Sequence, residues 1–366
     1  MKFTVLQQDL LPHLQAVGRS VGVRSTLPVL DNILLSVEGK KLKIAATNLE
    51  IGVIRHISVE VAEVGEITIP AKTLIEVISG LGPVKITFST EGEILTLESN
   101  KFKASLNGIS ASEFPAIPLS SKKGVELPKE VILSSSQILF AAAVDEGRPV
   151  LTGILTDVQG DKIDFVATDG FRLAHRQAQL SSKTTEFKSL IPRRTYEEVL
   201  RIISETEVDK IELSYSQDQN QVVFSLGATI LSSRLIEGQF PSWEKIIPTQ
   251  IATRLMMDKE ELLKSLKLAA VFAKNETNVV VLSLDKSGLK IESSAKELGS
   301  QQNEVEANIE GETLQIAFNS KFLLDAVSNA PSTQVLVEFS GALSAALIKP
   351  VGIEGLQYIV MPVRTN

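Results

Sequence analysis

Apolar residues recur along this chain with two different periods. Leu10, Leu14, Val17 and Val21 fall at i, i+4, i+7 and i+11, one stripe along a helix. Tyr196, Val199, Leu200 and Ile203 form a similar stripe behind Pro192, and Leu262, Leu266 and Ala269 follow Asp258 and Glu261, a pair placed as a capping box. Elsewhere the period is two. KITFSTEGEILTLES and KIDFVATDGFRLA alternate apolar and polar positions around turn residues, which predicts hairpins.

These elements come in the same order three times. A short strand and an amphipathic helix open each third, in KFTVLQQDLLPHLQAVGRSV, EVILSSSQILFAAAV and TRLMMDKEELLKSLKLAAVF. A second helix follows a strand-like stretch, in ITIPAKTLIEVISGLG, SLIPRRTYEEVLRIIS and LQIAFNSKFLLDAVSNA. Pro70 and Pro192 stand 122 residues apart, and Asn319, the matching helix opening, lies 127 beyond Pro192; one third of 366 is 122. A period above about 100 residues means duplicated domains rather than a solenoid. The fold class is therefore α+β: three similar domains, each with two helices packed on antiparallel sheets. Polar joints near 120–124 and 248–253 place the domains at 1–123, 124–250 and 251–366.

Composition narrows the function. With 43% hydrophobic and 22% charged residues, the chain is an ordinary globular protein. No run of about 18 apolar residues could span a bilayer as a helix, and the N-terminus lacks a signal-peptide core. The absence of cysteine excludes disulfides and thiolate chemistry and fits a cytoplasmic protein. The 37 Lys and Arg against 44 Asp and Glu give a net charge of −7, yet a nucleic-acid face needs only local positive potential. Basic residues concentrate on the helices: Arg19, Lys72, Arg193, Arg194, Arg201, Lys259, Lys264, Lys267, Lys274 and Lys321. Acidic residues favour strands and turns. Two readings stand: solvation of helix surfaces, or a lining presented to phosphates.

Catalytic signatures are missing. There is no P-loop, no dinucleotide fingerprint and no G-x-S-x-G. The three histidines, His13, His56 and His175, lack metal-ligand spacing, so neither a metal nor a cofactor is expected. Asp145 with Glu146, and Asp161 with Asp164, are better explained as surface turns than as paired catalytic carboxylates. Asp169-Gly170 between alternating runs is a hairpin turn. The C-terminal YIVMPVR (358–364) is an apolar, strand-like run, either core or groove lining.

ATDGFRLA at 167–174, GVRSTLPVL at 22–30, YIVMPVR at 358–364 and the triplicated plan together resemble the bacterial DNA sliding clamps, the beta subunits of the replicative DNA polymerase III. The resemblance covers the whole chain. It implies a head-to-tail homodimeric ring around duplex DNA, helices inside and sheets outside. Such a ring is a non-catalytic processivity factor that slides on DNA and tethers the polymerase catalytic subunit, the clamp loader, and other polymerases and repair proteins. By resemblance Arg24, Lys72 and one of Arg193 and Arg194 match DNA-contacting positions; Lys264 and Lys267 are added from helical position. The implied peptide-binding cleft comprises Leu151, Thr168, Gly170, Phe171, Arg172, Leu173, Pro241, Ile246, Leu343, Val360, Met361, Pro362 and Arg364. The chain departs from the common pattern at Phe171, where histidine is frequent, and at Lys245, where arginine occurs. At the dimer contact Val271 and Phe272 would face Leu106, with Lys101 and Lys103 opposing Glu304 and Glu306. A hydrolase or transferase would need two titratable groups held apart in pKa in one pocket. A protein-binding scaffold would use the cleft without DNA.

Overall fold

The computed structural model of the chain describes residues 1–22, 27–119, 124–145, 147–216, 220–274 and 278–364. Six α-helices lie among them: α1 (Gln7–Gly18), α2 (Ala71–Gly80), α3 (Lys129–Ser134), α4 (Arg193–Glu205), α5 (Lys259–Ala273) and α6 (Ser320–Ser328). All strand pairs among the described residues are antiparallel. The expected α+β class, with two helices in each third, is what the chain adopts.

The chain packs as two compact units, Met1–Lys129 with Glu197–Leu235, and Glu130–Tyr196 with Ile236–Asn366. The division cuts through the middle third, because that third gives half its strands to each of two large sheets. In the first unit, Thr229–Arg234 pairs with Ile51–Ser58, placing Leu231 opposite Val53, within an eight-stranded sheet. In the second, Arg172–Gln179 pairs with Leu356–Val360, placing Leu173 opposite Ile359, within a nine-stranded sheet. Among the described residues, each unit holds one further sheet. The first has a five-stranded sheet ending in the edge strand Phe102–Asn107, and the second a four-stranded sheet ending in the edge strand Gly299–Val305.

The predicted stripes do the packing. Leu10, Leu14 and Val17 of α1 are buried, and α1 lies on α2 and on the strands Lys41–Thr47 and Ile51–Ser58. Tyr196, Val199 and Ile203 of α4 are buried, as are Leu262, Leu266 and Ala269 of α5. The Asp258 side chain caps α5 by accepting the Glu261 N–H at 3.0 Å, and Asn319 caps α6 by accepting the Lys321 N–H at 3.0 Å. Such caps contribute about 1 kcal/mol each.

One predicted helix is cut short. The segment EVILSSSQILFAAAV gives only α3, followed by 3-10 turns at Ser135–Gln137 and Leu139–Ala141. Three consecutive serines explain it. Ser134, Ser135 and Ser136 donate their hydroxyls to the carbonyls of Val131, Ile132 and Leu133, each at 2.7 Å. Hydroxyls that take carbonyls in this way compete with the helical ladder.

Duplication is visible at atomic detail. Thr168 Oγ1 accepts the Gly170 N–H and donates to the Arg172 carbonyl, while Asp169 Oδ1 accepts the N–H groups of Phe171 and Arg172. Residues 47–51 repeat every bond: Thr47 Oγ1 with the Leu49 N–H and the Ile51 carbonyl, and Asn48 Oδ1 with the N–H groups of Glu50 and Ile51. The third turn residue is left-handed in both, φ +91° at Gly170 and +73° at Leu49, which glycine adopts without the penalty that leucine carries.

Candidate functional site

The hairpin turn at 169–171 seats Arg172 at the start of its strand, and the side chain is buried. Arg172 Nε donates to Asp169 Oδ2 at 2.9 Å, and a second guanidinium nitrogen to Asp325 Oδ2 of α6 at 2.5 Å. The guanidinium lies over two rings, 5.3 Å from the Phe140 centroid and 4.8 Å from that of Phe322. Phe171 stacks on Phe322 at 6.1 Å and is 63% exposed. The Met361 N–H donates to the Phe171 carbonyl at 2.9 Å. Arg172 thus ties the middle-third hairpin to the helix of the last third, and the Phe171 carbonyl ties it to the tail.

Leu173 points to the opposite face, because successive strand residues alternate. There it joins Leu155, Val166, Leu190, Ala345, Leu347 and Ile359 in an apolar cluster, on which the half-buried Val150, Ile236, Phe240, Trp243 and Ile247 pack. Pro241, Ile246, Leu343 and Met361 are exposed. Beside the cluster His175 is buried. His175 Nε2 lies 2.6 Å from Asp164 Oδ1, Gln357 Nε2 lies 3.0 Å from His175 Nδ1, and the imidazole stands 4.4 Å from the Trp243 ring. Burial opposes the charged form of Asp164, but hydrogen bonds from His175 and Gln177 outweigh it and hold the carboxyl below its ordinary range.

The residues expected in a cleft therefore divide between two faces. Leu173 lies in the apolar cluster; Leu151 is buried, and Thr168 is buried with its hydroxyl committed to the turn. Arg172 and Val360, which are register partners, lie on the helix-bearing face. Pro362 is half-buried and bridges to Phe318, while Arg364 is exposed. Sequence reasoning missed Ile359, Leu347, Phe240 and Trp243. Ile359 was hidden because YIVMPVR lacks the polar alternation that fixes phase, and a slip of one residue exchanges faces.

Among the expected DNA-facing residues, Lys72 is exposed on α2, Arg194 is exposed and Arg193 half-buried at the start of α4, and Lys264 and Lys267 are exposed on α5; Arg24 lies outside the described residues. Two other helix cations are engaged in ion pairs. Arg19 meets Glu205 at 2.7 Å, and Arg201 meets Glu198 one turn before it. On α5, Lys264, Lys267, Leu268 and Val271 make one exposed stripe that turns from basic to apolar, with Val271 62% exposed. Phe272 and Leu106 are half-buried, Glu304 is exposed, and Lys103 pairs with Glu98 of its own hairpin at 2.6 Å. Of the carboxylates considered for catalysis, Asp164 is committed to His175 and Asp145 is exposed, while Glu146 lies outside the described residues.

Three family models match in succession: the N-terminal domain of the DNA polymerase III beta subunit over residues 1–118, its central domain over 126–242 and its C-terminal domain over 244–364. The chain belongs to the DNA polymerase III beta subunit family, the beta sliding clamps. It is 33% identical to the beta sliding clamp of Synechococcus elongatus, covering 100% of this chain and 99% of that one. It is 30% identical to that of Vibrio cholerae, with both chains covered in full. Among solved structures, the Bacillus subtilis sliding clamp superposes with a TM-score of 0.95 at 26% identity, covering 100% of each chain. The Pseudomonas aeruginosa clamp bound to griselimycin does so at 0.93 and 29%, again covering 100% of each. The fold is the DNA clamp fold. The chain is a processivity factor of the replicative DNA polymerase, a non-catalytic subunit of DNA polymerase III. Clamps of this family encircle DNA and bind the polymerase. No helix among the described residues is long and apolar enough to cross a membrane.

Proposed function

We propose that two copies of this chain close head to tail into a ring around duplex DNA in the cytoplasm, each copy built as three domains, 1–123, 124–250 and 251–366. The observation that carries this reading is one edge strand in each unit, both on the smaller sheet of that unit. Phe102–Asn107 ends one sheet and Gly299–Val305 ends another, and unpaired edge strands are templates for pairing with a second chain. Joining the first edge of one copy to the second edge of the next leaves neither free, and two such joints close the ring. Leu106 on one edge strand, with Val271 and Phe272 of α5 in the unit that carries the other, supplies the apolar contact. Lys103 and Glu304 stand at its rim.

Inside the ring, Arg24, Lys72, Arg193, Arg194, Lys264 and Lys267 contact phosphates without reading sequence. These contacts are weak and screened by salt, which suits sliding, because topology rather than affinity retains the ring. The net charge of −7 discourages binding anywhere but the hole. The apolar cluster around Leu173, with Pro241, Ile246, Leu343 and Met361 beside it, is the groove for short peptides. Its partners are the polymerase III catalytic subunit, clamp-loader subunits, and other polymerases and repair proteins.

The test is retention on DNA after loading by a clamp loader. The reading expects the ring to stay on circular DNA and to run off after a single cut linearises it. Equal retention on both forms would refute topological linkage.

A further inference from the structure

The floor of this groove is covered in the free chain. Leu155, Val166, Leu173, Leu347 and Ile359 are each no more than 3% exposed, and the turn Trp243–Ile246 belongs to the segment that covers them. A peptide side chain reaches the floor only if part of that cover moves. The first unit contains the same arrangement 121 residues earlier, with Leu34, Ala45 and Ile54 in place of Leu155, Val166 and His175. There the register pair is Ile54 with Ile230, and Phe114 and Ile117 form the cover. In the second unit the corresponding pair is polar, His175 opposite Gln357. An apolar seal has been replaced by a titratable one beneath a tryptophan.

We propose that Trp243 gates the peptide groove and that His175, clamped between Asp164 and Gln357, sets how firmly the gate is shut. This rests on the groove reading given above. His175 is a positioning residue: it touches Trp243, not the peptide. Its neutral form donates Nε2–H to Asp164 and accepts from Gln357 at Nδ1. Gaining a proton turns the ring into a cation 4.4 Å from the Trp243 ring, and a cation against an indole attracts it. The Gln357 amide then rotates to offer its oxygen. The charged form holds Trp243 down on the cluster more firmly than the neutral form does.

Charged groups come near His175 from several elements. Asp164 faces His175 from the neighbouring strand. Asp157 lies across from Asp164 one strand further, neutralised by Lys188 at 2.8 Å. Lys162 opens the strand that carries Asp164, and Gln177 shares the Asp164 carboxylate at 2.9 Å. From the covering turn come Glu244 and Lys245, both exposed.

Trp243 is the only tryptophan of the chain, so its emission reads this one place. The expected result is an emission change over one interval of pH, absent in His175→Gln and moved to lower pH in Asp164→Asn. Binding is followed by fluorescence anisotropy of a capped, labelled pentapeptide ending Leu-Phe and carrying no ionisable side chain. Its affinity falls about two- to fivefold over the same interval in the native chain and stays level in His175→Gln. If His175→Gln does not fold, as judged by circular dichroism, Asp164→Asn carries the test through the displaced midpoint. An unchanged emission titration in His175→Gln, or an unmoved midpoint in Asp164→Asn, overturns the coupling. A pH-independent peptide affinity beside a His175-dependent emission change overturns the gate and leaves the groove standing. No peptide binding at any pH in any form overturns the groove reading and the gate with it.

Discussion

Replacing Arg172 by methionine removes one charge and leaves two. Its side chain is 9% exposed, and those of its partners Asp169 and Asp325 are 16% and 34% exposed. Breaking a buried ion pair costs about 3–5 kcal/mol, because the abandoned charge has lost both water and partner. Two features pull this case to the low end. Asp325 is a third exposed and recovers water, and Asp169 keeps two backbone N–H bonds through its other oxygen. Methionine also keeps contact with the Phe140 and Phe322 rings, replacing part of the lost cation–π attraction. The expected loss is about 3 kcal/mol. For a unit near 200 residues that lowers Tm by about 6–12 °C. Differential scanning calorimetry measures it, and the double variant Arg172→Met with Asp325→Asn supplies the control. With the orphan charge removed, the double variant recovers about 1 kcal/mol relative to additivity. A single variant within about 0.5 kcal/mol of the native chain, or an additive double variant, refutes the account of this hub.

Asp258→Ala deletes the cap of α5 and lowers stability by about 1 kcal/mol, read from a urea midpoint. Gly170→Ala meets only ordinary contacts, the nearest being an Arg148 nitrogen at 3.5 Å, so its cost of about 1–2 kcal/mol is that of φ +91° alone; a loss above about 4 kcal/mol would show a clash instead. Glu338 is buried, which opposes its charge, but hydrogen bonds from Lys349 and Arg254 prevail and hold its carboxyl below the ordinary range. Its stabilising contribution is therefore complete above the unfolded carboxyl pKa, about 4.3, and fades as pH drops through the lower folded value. The stability gap between Glu338→Gln and the native chain should accordingly narrow below about pH 4. Val271→Glu places a charge at the proposed joint and weakens dimerisation at least about tenfold by sedimentation equilibrium; an unshifted dimer constant would move the joint elsewhere.

Helices were legible wherever one stripe of apolar side chains met a cap, as in α5 behind Asp258. The three-serine run defeated the reading of α3, because hydroxyl bonds to carbonyls carry no signal in a hydrophobicity pattern. Hairpins were legible from Asp169-Gly170 and from the alternation on both sides of it. The site was harder. Arg172 and Leu173 adjoin in sequence yet serve opposite faces, one bound to α6 and the other to the apolar cluster. Ile359 and Val360 show the same division, in a run where no polar residue marks the phase. His175 drew attention only as a metal-ligand candidate. Its partners Asp164, Gln357 and Trp243 come from three other segments, so nothing in its local sequence could assemble them.

The duplicated groove allows a sharper test, since the first unit carries its sealed version. Gly52 lies 121 residues before Leu173, and a Cβ built there would come within 2.6 Å of Ile117 Cγ2. Ile117 therefore occupies the space that a side chain at 52 would need. Gly52 has no left-handed φ among the backbone exceptions, so alanine suits its strand conformation and only the contact opposes it. Gly52→Ala should then destabilise by about 1–3 kcal/mol through overpacking. Ile117→Ala should cost about 2 kcal/mol, the low end for a large-to-small change because the side chain is half-buried. Combined, each substitution relieves the other: the new methyl enters the space Ile117 vacates, and the double variant loses less than the sum by at least about 1 kcal/mol. Circular dichroism melts of the four chains measure the cycle. Additive losses would mean that Ile117 is not the plug, and the comparison between a sealed first groove and a gated second one would lose its footing.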